Sequence, residues 1–150
     1  MEGMHDDRLP MTVIPAHSAF RILRFGFAVT PIVMGLDKFL NVLVNWPHYL
    51  APPISQALPV SPAVFMQAAG VVEIAAGVIV AFYPIIGGWL VAGWLWAVIV
   101  NLLLGPGYYD VAIRDFGLSL GAVALARLAA AFAVPVQRGA FQVEERRPAA

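Results

Sequence analysis

Four stretches of the chain are apolar almost without interruption: Ile22 to Val44, Ala63 to Phe82, Ile85 to Leu104 and Val111 to Val134. Each matches the ~20 residues that a helix rising 1.5 Å per residue needs to cross a ~30 Å hydrocarbon layer. None shows the apolar–polar alternation of a membrane barrel strand. In lipid a helix bonds all its backbone groups internally, so helices are the default. The pattern predicts an all-α, integral membrane four-helix bundle over residues 18–136. It lies between an N-terminal segment, 1–17, and a polar tail, 137–150.

The connections fit that reading. Tyr83-Pro84 predicts a tight turn that makes spans two and three a helical hairpin, and Gly105-Pro106-Gly107 breaks the chain before span four. The first connection, Asn45 to Pro62, is longer and carries five prolines, which argues against a long helix there. Its Trp46, His48 and Tyr49 suit an interfacial aromatic belt, on the membrane surface or dipping into it. Pro31 is expected to kink span one. The first fifteen residues hold Glu2, Asp6 and Asp7 against a single base, Arg8, and do not read as a signal peptide.

Composition strengthens the membrane reading and removes several functions. Of 150 residues 61% are hydrophobic and 12% charged, about half the usual ~25% charged share. Too little polar surface remains to cover a water-soluble globule. Formal net charge is +0, which leaves no field to attract nucleic acid. The chain has no cysteine, so disulfides, thiol redox chemistry, iron–sulfur clusters and Cys-ligated zinc are excluded. An even number of spans puts both termini on one side. That side receives Arg8, Arg21, Arg24, Arg127, Arg138, Arg146 and Arg147, against Lys38 and Arg114 on the other. The positive-inside rule then predicts cytoplasmic termini and a multi-pass protein of the inner (cytoplasmic) membrane.

Ionisable residues inside spans are costly and face protein or water. Arg21, Arg24 and Arg127 lie near the inner boundary, where snorkelling to headgroups accounts for them. The informative set is Asp37, Lys38, Glu73, Asn101, Asp110, Arg114 and Asp115. Glu73 falls near the midplane and the others in the outer half. Helical side chains lean toward their own N-terminus. Lys38 on an outward-running span therefore leans inward and Glu73 on an inward-running span leans outward, so the two converge if their helices are neighbours. Arg114 leans toward Asp37 and Asp110, and Asp110 precedes it by four residues on one helix face.

The faces bearing these groups are rich in small residues. Glu73 shares its face with Ala69, Gly70, Ala76 and Gly77, Arg114 shares its own with Gly117 and Gly121, and Gly35 lies three residues before Lys38. Small residues let helices approach closely, so the charges are expected on packed faces around a polar cluster near the outer mouth. Two readings stand side by side: ion pairs that only fix helix register, or a ligand or proton site centred on Glu73. Trp94, which lies along one side of span three with Asn101, offers a ring for stacking or simple packing. A small transporter with Glu73 as its ion site is a further reading, though the two halves show no internal repeat. No metal site is expected, since His5, His17 and His48 are scattered. Walker, Rossmann and HExxH motifs are absent, and no autonomous catalytic set is present.

Three runs together carry a family resemblance: Gly35-Leu36-Asp37-Lys38-Phe39 closing span one, Gly70-Val71-Val72-Glu73-Ile74-Ala75-Ala76-Gly77 filling span two, and Arg114-Asp115-Phe116-Gly117-Leu118 opening span four. In order and depth they resemble the DoxX-like family of small four-helix membrane proteins, over roughly His17 to Ala131. The resemblance implies a subunit of a larger redox or electron-transfer complex, some relatives being linked to thiosulfate:quinone oxidoreductase. It implies Lys38, Glu73, Arg114 and Asp115 as the matching positions. The cofactor it brings is a quinone, not covalently bound. The lack of cysteine departs from some redox-linked relatives, and with no soluble domain the electron donor would come from a partner.

Overall fold

A computed structural model describes residues 13–133. It contains α1 (Val13–Leu40), a 3-10 turn (Trp46–Tyr49), α2 (Pro52–Ala57), α3 (Pro62–Phe82), α4 (Pro84–Leu104) and α5 (Tyr109–Ala133). α1, α3, α4 and α5 are each long and apolar enough to cross a membrane. The architecture is the all-α four-helix bundle that the hydropathy pattern predicts. Residues 1–12 of the expected N-terminal segment and the whole of the expected tail, 137–150, lie outside the described residues.

Three of the four spans fall within two residues of their expected bounds. Pro62 and Pro84 occupy first-turn positions, where a missing N–H costs nothing. The Ser61 hydroxyl caps α3 by accepting from the Val64 N–H. Tyr83 alone joins α3 to α4, so the hairpin is as tight as expected. The first span differs. Its apolar run continues to Val44, but the helix stops at Leu40 and is already formed at Val13, inside the expected N-terminal segment. The stop is made by Asn41, which adopts φ 51°, the left-handed conformation that Asn tolerates after a helix. Its N–H still bonds the Asp37 carbonyl, and its side-chain Oδ1 receives the Trp46 N–H. α1 runs unbroken through Pro31.

The helices pack by small residues. A Cβ placed on Gly35 would lie 2.5 Å from the Gly70 carbonyl oxygen, and one on Gly70 2.6 Å from the Gly35 oxygen. Seven residues along, Gly77 faces the Ala28 carbonyl at 2.5 Å on the same measure. α1 and α3 therefore run antiparallel with their backbones nearly touching, the geometry that small-xxx-small faces permit in lipid. α4 meets α5 where Gly88 faces Ala122 and Ala126. The apolar core (Ala28, Ala76, Val80, Val91, Ala92, Ala122, Leu125) lies toward the end where the described chain begins and ends. There the Phe20 and Phe132 rings meet at 5.6 Å. At the opposite end, which the connecting loops occupy, Ile99, Leu102 and Ala112 form a smaller cluster against Tyr49 and Tyr108.

Candidate functional site

Lys38 and Glu73 lie three residues after Gly35 and Gly70 respectively, the two glycines at the α1–α3 contact. In antiparallel helices that offset separates their Cα atoms by roughly six residues of rise, about 9 Å along the axis. Each side chain leans toward its own N-terminus, so the two close the gap. Lys38 Nζ donates to Glu73 Oε2 at 2.7 Å, with side-chain exposures of 6% and 12%. Glu73 Oε1 accepts from Trp94 Nε1 of α4 at 3.2 Å. One carboxylate thus ties three helices together.

The network continues into the first connection. The Lys38 ammonium lies 3.6 Å from the centroid of the Trp46 ring, a favourable cation–π arrangement. Trp46 Nε1 donates to Asp37 Oδ2 at 2.7 Å. Asp37 also accepts the backbone N–H groups of Val42 and Leu43. Asn101 near the end of α4 holds the next part of the same connection: its Nδ2 donates to the Tyr49 carbonyl at 2.7 Å and its Oδ1 accepts the Ala51 N–H at 3.0 Å. Tyr49 stacks on Tyr108 with ring centroids 4.4 Å apart.

Asp115 is buried on α5, within electrostatic reach of Glu73 and Lys38. Arg114 is not part of the cluster. Its side chain is 69% exposed, and its ion pair among the described residues is a 3.6 Å contact with its neighbour Asp115. The expected approach of Arg114 to Asp37 and Asp110 does not occur. Asp37 spends its oxygens on Trp46 and the backbone after α1, and Asp110 is exposed. The shared face with Gly117 and Gly121 misleads because only Gly121 is packed, against Phe27, while a Cβ on Gly117 would meet nothing within 4 Å.

Three further residues make contacts that composition alone does not announce. Trp46 and Tyr49 are half-buried, Trp46 over the Lys38 ammonium and Tyr49 stacked on Tyr108. The Arg24 guanidinium donates to the Ala81 carbonyl near the end of α3, where helix carbonyls lack internal partners. The Arg24 role needs the antiparallel register to be known. Trp46 had a local clue in Asn41, a residue suited to reversing the chain just after Lys38. Among the described residues no group of three or more His, Asp or Glu is arranged to hold a metal ion. Compared with protein families, curated proteins and solved structures, the chain finds no match.

Proposed function

We propose that this chain is a small membrane subunit, of DoxX-like type, in a larger redox or electron-transfer complex, with the Lys38–Glu73 cluster bordering a quinone-side pocket. The observation that carries this reading is the buried Lys38–Glu73 ion pair. Charges inside a span are expensive, and a well-packed apolar pair of the same volume serves stability as well or better. Retaining both charges therefore points to use. The donor set suits a quinone carbonyl: the Lys38 ammonium has three N–H donors, and Glu73 takes one. Trp46 covers the Lys38 ammonium with its ring, and Trp94 gives its N–H to Glu73. A quinone held there would accept electrons supplied by a partner protein. The arginine bias supports cytoplasmic termini in an inner-membrane protein, with the cluster then in the outer half of the bilayer.

The test is purification of the full chain in mild detergent, with analysis of bound proteins and quinone, followed by Glu73→Gln in the recovered complex. A co-purifying redox partner and a selective loss of quinone reduction in an intact complex are the expected results. A bare monomer without quinone overturns the proposal.

One observation favours a second reading, that of an assembly subunit whose charges only fix register. Among the described residues every fully buried side-chain nitrogen or oxygen has at least one hydrogen-bond partner within the chain, so no ligand is needed to give the pair a partner. In that case Glu73→Gln lowers assembly while the assembled complex keeps full activity.

A further inference from the structure

Lys38 lies two residues from the end of α1. At that depth a lysine ordinarily extends its stem toward the headgroups and keeps its ammonium in water. Here the residue is 6% exposed. Part of the cause is Glu73, which draws the ammonium inward. The rest is the indole of Trp46, 3.6 Å from the ammonium. Trp46 does not belong to a spanning helix but to the connection between α1 and α3. Between Asn41 and Ala51 that connection has only the four-residue turn Trp46–Tyr49.

This segment is fixed at two points and plugged at a third. Its root is Asn41 at φ 51°, which turns the chain back over the helix it has just left. Its far end is held by the Asn101 amide on Tyr49 and Ala51. Between these anchors the indole is clamped by charge from both sides, its face on Lys38 and its N–H on Asp37. Both clamping groups are ones that a polar ligand would itself engage. A ligand that draws the ammonium away takes the cation from beneath the ring.

We infer that Asn41–Ala51 is a hinged strap, and that Trp46 is the plug closing the loop-end mouth over the Lys38–Glu73 pair. A polar molecule reaches the pair from that side when the indole swings out. The inference concerns access to the pair, whatever binds there, and holds independently of any redox partner.

The composition supplies a direct test. Lys38 is the only lysine in the chain, so acylation by a water-soluble N-hydroxysuccinimide ester, read by peptide mapping, reports on one side chain. The full chain in detergent micelles is compared with three variants, each checked for helical content by circular dichroism. Trp46→Ala removes the plug and should raise the Lys38 acylation rate about tenfold, in line with loss of a desolvated cation–π contact. Trp46→Phe keeps a ring over the ammonium and loses only the N–H to Asp37, for a rise of about threefold. Asn101→Ala frees the far anchor without touching the pair and should also give about threefold. If the alanine variant at Trp46 does not fold, the other two decide. A rise in either supports the strap. Unchanged rates in both, or a wild-type rate equal to that of an unstructured lysine peptide, overturn it.

Discussion

Of the bundle's antiparallel seams, the two most extensive, α1–α3 and α4–α5, each have an acid and a base beside them, yet only one builds a buried ion pair. At the α1–α3 seam one close backbone approach, Gly35 on Gly70, lies between Lys38 and Glu73. Both side chains lean into that crossing and meet at 2.7 Å. At the α4–α5 seam the close approach is Gly88 on Ala122, seven residues from Asp115 and so about 10 Å away along α5. Arg114 and Asp115 are also sequence neighbours, about 100° apart around the helix, and cannot share a face. Asp115 turns in and Arg114 turns out. At the α1–α3 seam the small residues put the backbones together between the opposite charges, and at the α4–α5 seam they do not.

The largest effects should come from breaking the α1–α3 pair. Lys38→Met strands a carboxylate in mid-span with one remaining donor, Trp94, and should cost about 3–5 kcal/mol in thermal or denaturant unfolding in detergent. Glu73→Met should cost less, because a released Lys38 two residues from the helix end can extend to the headgroups. The double variant Lys38→Met/Glu73→Met should return to within about 1 kcal/mol of the native chain or exceed it. A double variant as damaged as Lys38→Met alone would mean that the charges, not their pairing, hold the seam.

Next come the glycines. Gly35→Ala sets a methyl 2.5 Å from the Gly70 carbonyl oxygen and 2.8 Å from the Ile74 side chain, an overpacking that should cost about 1–3 kcal/mol. Gly117→Ala meets nothing within 4 Å, and as a surface change should stay within about 0.5 kcal/mol of the native chain. Unfolding midpoints of the two variants measure the contrast between a close seam and an open face directly. Equal losses would show that α5 is covered at Gly117 in the assembled protein.

How far the sequence reveals this arrangement depends on the range of the interaction. The four spans are legible because hydropathy is a property of local composition. The Lys38–Glu73 pair is legible because two local facts, the direction of side-chain lean and the small residues beside Glu73, become a contact once the helices are antiparallel neighbours. The end of α1 is misread because Val42, Leu43 and Val44 continue the apolar run, while a single left-handed residue, Asn41, ends the helix. Hydropathy does not register backbone conformation. The position of Trp46 over Lys38 depends on that same turn. Arg114 is misread for another reason: a glycine face permits a neighbour but does not supply one, and no helix approaches Gly117. The Arg24 contact with Ala81 joins positions 57 residues apart, and nothing local announces it.

Asn101 and Arg114 set the lower end of the comparison. Asn101→Ala removes two hydrogen bonds, leaving the Tyr49 carbonyl and the Ala51 N–H short of partners, and should cost about 1–3 kcal/mol. Arg114→Gln should cost less than about 1 kcal/mol, since an ion pair of a 69% exposed guanidinium at 3.6 Å contributes little. Raising the salt concentration should shrink even that difference, whereas the Lys38 and Glu73 variants should respond little, because buried pairs are poorly screened. A salt-insensitive loss of several kcal/mol for Arg114→Gln would place the guanidinium in a sheltered contact. The difference between the two seams would then belong to the isolated chain and not to the assembled protein.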